Sequence, residues 1–134
     1  MTSTARFAVL TFTAGLGLFA AAGCSKDSTA SASASSSAPI PAEAQETYAQ
    51  RCAMCHGTSG KGDGSAAAAL NPKPRNYTDA AWQKSVKDED LRTVILKGGA
   101  GAGKSPLMPA SPDLESKPAV VAGLISIIRS YNGK

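Results

Sequence analysis

The sequence is poor in the residues from which many metal sites and enzyme active sites are built. Its 134 residues include one histidine, three cysteines and one tryptophan, and aromatic residues make up only 5% of the chain. A site that needs two or more histidines is therefore excluded within this chain. The 14 lysines and arginines form no run interleaved with aromatic residues, so the sequence gives no support to nucleic-acid binding.

The one histidine directly follows two of the three cysteines, in the run Cys52-Ala53-Met54-Cys55-His56. C-x-x-C-H is the signature of covalent attachment of c-type haem, in which two thiols bond to one porphyrin and the adjacent imidazole binds its iron. A C-x-x-C pair also occurs in dithiol redox sites and in zinc sites. The first would need a βαβ pattern around it and the second a further Cys/His pair, and neither is visible. The run therefore predicts one covalent haem c on Cys52, Cys55 and His56.

The beginning of the chain is predicted to lie outside the fold. Arg6 and the apolar run at residues 7–22 have the charge and length of a signal peptide, predicted here at residues 1–23. Ala21-Ala22-Gly23-Cys24 resembles the lipobox of bacterial lipoproteins, which predicts a lipid anchor on Cys24. Ordinary cleavage after Ala22, with Cys24 left as a free thiol, is the alternative. Residues 24–41, rich in serine and alanine after Cys24, are expected to form a disordered tether.

A single folded domain is predicted at residues 42–134, with about four short helices. The predicted helices cover residues 43–52, residues 78–83 with Thr78 as N-cap, a segment after an N-cap at Asp88, and a final segment after an N-cap at Ser116. Large aliphatic residues are concentrated in the last two segments, and no phenylalanine occurs after residue 19. So few large apolar residues indicate that the helices pack around a large apolar cofactor.

Haem iron takes two axial ligands, and the second cannot be another histidine of this chain. Met54 lies between the attachment cysteines on the same side as His56, whereas Met108 lies in the proline-rich segment Ser105-Pro106-Leu107-Met108-Pro109. We call residues 105–109 the methionine loop. Its prolines restrict the backbone, which favours Met108 as the ligand opposite His56; a lysine such as Lys104, or an empty position, is the alternative. A thioether ligand raises the reduction potential.

The segment from Gly98 to Ser105 matches the phosphate-binding pattern G-x-x-x-x-G-K-[ST]. That pattern binds phosphate where a strand is followed by the start of a helix. Pro106 follows the pattern at once, so no helix is expected to begin there. We therefore predict no nucleotide, and interpret Gly98 and Gly99 as the end of a helix before the methionine loop.

Residues 42–134 resemble the class I monohaem cytochromes c of bacterial membranes and periplasms. The resemblance rests on a helix ending in C-A-M-C-H, a glycine-rich loop at residues 57–64, the segment N-P-K-P-R-N-Y at residues 71–77, the methionine loop and a final amphipathic helix. It implies an all-α class I fold around one haem. It also implies that the first and last helices meet, through Tyr48 and Ala49 on one and Leu124, Ile128 and Tyr131 on the other.

The resemblance implies further contacts with the haem. In that family a proline carbonyl accepts the hydrogen bond of the proximal imidazole, and here Pro72 or Pro74 would take that role. Arg75 and Trp82 are candidates for holding the haem propionates.

The expected function is electron transfer and not catalysis, because a haem bound by His56 and Met108 has no open coordination position. The alternatives are a five-coordinate haem protein that binds or reduces a gas or peroxide, and a haem module of a larger oxidoreductase complex. With a lipid anchor on Cys24, the domain is expected on the periplasmic side of a bacterial membrane. Its partners there would be redox proteins.

Overall fold

The structure is a computed structural model that describes residues 39–134. Within that range the chain forms helices and turns and no strands. The predicted signal peptide, Cys24 and all but the last residues of the predicted tether lie outside the described residues. No helix in the described part is both long enough and apolar enough to cross a membrane.

The first helical segment runs from residue 42 to residue 56 and ends with the C-x-x-C-H motif. It consists of α1 (Ala42–Thr47), a π-helical turn (Tyr48–Cys52) and α2 (Ala53–His56). Such π-helical turns inside α-helices are frequent at functional sites. Gly57 ends the segment with φ of 77°, a conformation that residues with a side chain rarely adopt. The prediction at residues 43–52 found this helix but ended it four residues too early.

The short helix α3 (Ala80–Ser85) begins at a side-chain cap. The carboxylate of Asp79 accepts hydrogen bonds from the backbone N–H groups of Ala81 and Trp82, at 3.0 and 3.1 Å. Asp79, and not Thr78, is therefore the N-cap, because its side chain satisfies the N–H groups that the first turn leaves free. The Thr78 hydroxyl instead donates to Asn76 at 2.9 Å.

Helix α4 (Asp88–Gly101) is interrupted where the sequence predicted that it ends. Asp88, Glu89 and Asp90 occupy its first turn, where negative charge is favourable near the positive end of the helix dipole. Asp88 is the first residue of the helix and Lys87 precedes it as N-cap, one residue earlier than predicted. At Gly98 the backbone leaves the helical region, with φ of 69° and ψ of 179°, and one further helical turn follows.

The last helix, α5 (Pro118–Ser130), supplies six of the nine buried valine, leucine and isoleucine side chains in the described part of the chain. Val121 and Leu124 are the largest side chains that are almost fully buried, at 0% and 2% exposure. The predicted cap at Ser116 is wrong: Lys117 is the N-cap residue, and the Ser116 hydroxyl donates to the Asp113 carbonyl at 3.3 Å. Pro118 at the first helical position needs no hydrogen bond on its nitrogen, which favours a helix start there without a side-chain cap.

Helices α1 and α5 pack closely because a glycine lies at their contact. A Cβ atom added at Gly123 would lie 2.5 Å from Cβ of Ala44, which is fully buried. Towards the end of both segments the rings of Tyr48 and Tyr131 lie 5.9 Å apart. The predicted contact between the first and last helices is therefore confirmed, except that Ala49 is exposed and Ala44 takes the buried position.

Candidate haem-binding site

The two cysteines of the motif lie on one face of the first helical segment. Cys52 ends the π-helical turn and Cys55 lies in α2, and residues three apart in a helix are neighbours on its surface. Both are half-buried free thiols, whereas Met54 between them is 54% exposed on a different face. Burial raises the pKa of the Cys52 thiol to about 11, more than the nearby Arg51 guanidinium lowers it. Cys52 is therefore protonated at neutral pH.

The imidazole of His56 is held in the form that binds a metal ion. His56 is 8% exposed, and its Nδ1 lies 3.2 Å from the carbonyl oxygen of Arg75. Because a carbonyl can only accept, Nδ1 carries the hydrogen and Nε2 keeps a lone pair for a metal. Burial lowers the pKa of His56, and the Arg75 carbonyl opposes that shift in part. The neutral imidazole is thus favoured.

The acceptor of this hydrogen bond is Arg75, and the prediction of a proline carbonyl is wrong. The Pro74 carbonyl points elsewhere, since a Cβ atom added at Gly62 would lie 2.5 Å from it. The next carbonyl along the chain, that of Arg75, faces His56. Pro72 is exposed, and the hydrogen bond that the structure describes for the His56 ring goes to Arg75.

The glycine-rich loop after His56 satisfies the free carbonyls at the end of the first helical segment. The N–H of Gly62 donates to the His56 carbonyl at 2.9 Å, and the N–H of Gly64 donates to the Cys55 carbonyl at 3.1 Å. A Cβ atom at Gly64 would overlap the carbonyl of Met54. The loop can therefore lie against the motif only because side chains are missing there.

Two tyrosines hold the backbone that follows His56. The Tyr48 hydroxyl donates to the Gly57 carbonyl at 2.9 Å, and the Tyr131 hydroxyl donates to the Thr58 carbonyl at 2.8 Å. Tyr48 belongs to the first helical segment and Tyr131 follows α5 directly. Both ends of the domain are thereby bonded to the residues next to His56.

An aromatic row extends from His56 through Tyr77 to Trp82. The rings of His56 and Tyr77 are 4.5 Å apart and 12° from parallel, and those of Tyr77 and Trp82 are 5.5 Å apart and 23° from parallel. The guanidinium of Arg75 lies 5.5 Å from the Trp82 ring centre, at cation–π distance. The structure thus brings together Arg75 and Trp82, the two predicted propionate contacts.

The methionine loop is fixed against the interrupted end of α4. The Met108 carbonyl accepts a hydrogen bond from the Gly99 N–H at 2.9 Å, and a Cβ atom at Gly98 would lie 2.8 Å from the same carbonyl. Met108 is half-buried, while its neighbour Leu107 is 49% exposed. The two glycines thus allow a close approach of loop to helix that other residues would block.

This arrangement also accounts for the phosphate-binding pattern. The N–H of Lys104 donates to the Gly99 carbonyl at 2.7 Å, which closes the segment into a turn on the end of α4. Helix α4 ends within the pattern, at Gly101, and no helix begins at Lys104 or Ser105. The feature that makes the pattern bind phosphate is therefore missing from residues 98–105.

A cavity of about 360 Å³ lies between α3, α4 and the residues before the methionine loop. Trp82 and Val86 line it on one side, and Thr93, Ala102 and Lys104 line it on the other. Its volume is within the range of small-molecule and cofactor sites. Trp82 places the cavity at the far end of the aromatic row from His56.

The family model described as Cytochrome c matches residues 41–130. The chain belongs to the cytochrome c family. No curated protein and no solved structure shows a significant match to it. The all-α class I fold around a haem, predicted from the sequence, is confirmed, and the family carries out haem-based electron transfer with covalently bound haem c.

The residues of this cytochrome c fit a haem c. Two free thiols on one helix face match two thioether bonds, and a buried neutral imidazole with its Nε2 lone pair free matches an axial iron ligand. Cys52, Cys55 and His56 would hold the group. Bound there, the haem supplies the one-electron couple between ferrous and ferric iron.

The roles of other residues around the site of this cytochrome c could not be predicted from the sequence. Tyr77, which stacks on His56, belongs to the N-P-K-P-R-N-Y segment but has no spacing that assigns it a role. Gln83 and Arg129 bond the segment around Tyr77 to α5, although polar side chains like theirs are usually exposed. Only the packing of α3 against α5 identifies them.

Proposed function

We propose that this cytochrome c is an electron carrier with a single haem, bound by His56 and Met108, and not an enzyme. His56 and Met108 would fill both axial positions, so that no substrate reaches the iron and little rearrangement accompanies a change of oxidation state. One C-x-x-C-H motif in the sequence supports one haem.

The attachment of the methionine loop to α4 carries this proposal. Met108 is half-buried, and its backbone is bonded to Gly99 and packed against Gly98. A sulfur on a backbone held in this way is suited to a permanent ligand, because little conformational entropy is lost when it binds. Met54 offers the opposite case: it is 54% exposed and lies in the same turn as His56.

Replacing Met108 by alanine tests the proposal, with Met54→Ala as matched control. The purified ferric protein should show the weak near-infrared charge-transfer band of methionine ligation, and the ferrous protein should resist carbon monoxide. Met108→Ala should abolish the band, open the iron to carbon monoxide and lower the reduction potential. Met54→Ala should leave all three unchanged.

Two results would contradict the proposal. Rapid binding of carbon monoxide by the unaltered protein would favour the five-coordinate haem protein that binds or reduces a small ligand. A Met108→Ala protein with the unaltered spectrum would assign the second ligand to another residue, and Lys104→Ala would then test the lysine alternative.

We further propose that a lipid on Cys24 anchors the domain to the periplasmic side of a bacterial membrane, where it exchanges electrons with redox proteins. The lipobox-like sequence at residues 21–24 supports this proposal, since the anchor would explain a third cysteine in an exported protein. Ile40 and Pro41 pack against the domain, so a tether would consist of residues that precede them.

Cys24→Ser provides the test, because it removes the acceptor of the lipid and leaves the haem motif intact. The variant should appear in the soluble periplasmic fraction with its haem attached, while the unaltered protein sediments with membranes. Persistent membrane association of the variant would contradict lipid anchoring without bearing on the electron-carrier proposal.

A further inference from the structure

The imidazole of His56 lies against a ring that the proposed function does not use. Tyr77 is 5% exposed, and its ring stacks on His56 with the centroids 4.5 Å apart and the planes within 12°. Nearly parallel, offset rings at such a distance attract each other. Tyr77 also stacks on Trp82 at 5.5 Å and on Tyr131 at 6.4 Å, so its ring cannot turn without disturbing its neighbours.

The backbone of Tyr77 is held on both sides of its Cα atom. Its N–H donates to the Gly60 carbonyl at 2.7 Å, in the glycine-rich loop that follows the motif. Its carbonyl accepts a hydrogen bond from Nε2 of Gln83 at 2.8 Å. The ring that contacts His56 is therefore positioned by two hydrogen bonds that join separate parts of the domain.

Gln83 is itself held in a fully bonded polar network. It is 5% exposed, and its Nε2 donates a second hydrogen bond to the Ile128 carbonyl in α5, at 2.8 Å. Its Oε1 accepts from Nη1 of Arg129 at 2.9 Å, and the same Nη1 also bonds the Gln83 carbonyl at 2.8 Å. These partners define which end of the amide is the donor, and they leave Gln83 one orientation.

The orientation of the imidazole plane needs such support, because the intrinsic torsional preference of histidine defines it only weakly. The χ2 torsion, which sets the ring plane, has broad minima, and a single hydrogen bond of 3.2 Å to the Arg75 carbonyl leaves it some range. A ring stacked on the imidazole face restricts the rotation about χ2 that remains. The orientation of a metal-bound histidine in turn tunes the metal.

We propose that Tyr77 and Gln83 are positioning residues: the Tyr77 ring sets the plane of the His56 imidazole, and Gln83 holds Tyr77 in place from α5. With a haem bound, Tyr77 and Gln83 would give the imidazole plane of His56 one defined direction. The proposal rests on His56 as an axial ligand, as set out under the proposed function.

The test compares variants of the holoprotein by proton NMR of the ferric form and by reduction potential. The paramagnetic shifts of the haem methyl groups depend on the direction of the axial imidazole plane, so they report orientation and not stability. Tyr77→Leu removes the stacked ring, and Gln83→Met removes the bond to the Tyr77 carbonyl at similar volume. Both should change the spread of the methyl shifts and move the potential.

Two control variants separate positioning from general stability. Tyr77→Phe keeps the ring and should retain the methyl shifts of the unaltered protein. Leu114→Ala truncates a side chain that is 2% exposed in the core, and should lower stability while the methyl shifts stay as they are.

Unaltered methyl shifts in Tyr77→Leu or Gln83→Met would overturn the proposal, as would an equal change in Leu114→Ala. Should one of the first two variants fail to fold, the other decides. Failure of the proposed function has a different signature, since the unaltered protein would then lack methionine ligation or bind carbon monoxide before any substitution in the aromatic row.

Discussion

The contact between α1 and α5 should not tolerate one added methyl group at Gly123. The Cβ atom of alanine there would lie 2.5 Å from Cβ of Ala44 and 3.0 Å from Cδ of Pro41. Carbon atoms in contact are normally about 3.5–4.0 Å apart. Gly123→Ala should therefore push α1 and α5 apart by about 1 Å at this point, or distort one of them.

The expected loss of stability follows from two opposing effects. Overpacking of a close-packed core costs about 1–3 kcal/mol. Alanine is favoured over glycine inside a helix by about 1 kcal/mol, which offsets part of that cost. Gly123→Ala should therefore lower the free energy of unfolding by up to about 2 kcal/mol, and a domain of this size should lose up to about 16 °C in Tm.

Urea unfolding of the holoprotein, followed by circular dichroism, measures this effect. Ala122→Gly at the neighbouring exposed position of α5 calibrates the helix-propensity contribution, and should cost about 1 kcal/mol. The double variant Ala44→Gly/Gly123→Ala moves the glycine from one helix to the other and removes the overlap between the two Cβ atoms. It should be more stable than the sum of the two single effects predicts, by about 0.5–3 kcal/mol.

Two outcomes would refute this reasoning. A Gly123→Ala protein more stable than the unaltered one, by about 1 kcal/mol, would mean that helix propensity alone acts at this position. Additive effects in the double variant would mean that Gly123 and Ala44 do not share a contact.

Three further predictions concern other parts of the domain. Arg129→Met should cost about 2–3 kcal/mol in urea unfolding, because it leaves the carbonyls of α3 without their charged donor, whereas Arg51→Met, which removes a surface ion pair, should cost far less. Hydrogen bonds, of which that from the Trp82 N–H has the largest effect, hold the pKa of the Asp79 carboxyl below its usual range. The ionised carboxylate therefore stabilises the fold at neutral pH, and this stabilisation is lost as the pH falls through the lowered pKa. Asp79→Ala should accordingly make the free energy of unfolding less sensitive to acid. Gly98→Ala should displace the methionine loop and speed carbon monoxide binding to the ferrous protein, whereas Gly103→Ala, also at positive φ but with open space around it, should leave that rate unchanged. Equal effects in either pair, or an unchanged acid profile, would contradict the corresponding prediction.

The helices were predictable because each has a local cause. Apolar residues at helical spacing, proline near the helix starts and glycine at the interruption of α4 are all visible in the sequence. The caps were predicted less well, by one residue in each case. Thr78 and Ser116 are chemically suitable caps, but a neighbouring residue lies at the helix start once the chain packs.

The haem-binding site likewise has a part that local sequence predicts and a part that depends on packing. The motif places two thiols and an imidazole on one helical segment, because a spacing of three residues does so in any helix. The hydrogen-bond acceptor of His56 could not be derived in this way. Whether a proline or Arg75 faces the imidazole depends on how residues 71–77 lie against the glycine-rich loop, and the contact with Gly62 directs the Pro74 carbonyl away.

By itself the sequence determined the all-α class, and it predicted the attachment chemistry and a second iron ligand other than a histidine of this chain, because these depend on residue identity and local spacing. Only the tertiary structure decided what surrounds His56: the Arg75 carbonyl at Nδ1, the Tyr77 ring on its face, and the Gln83–Arg129 network that ties Tyr77 to α5. These contacts join residues up to 46 positions apart. They depend on how helices pack, which no local pattern encodes.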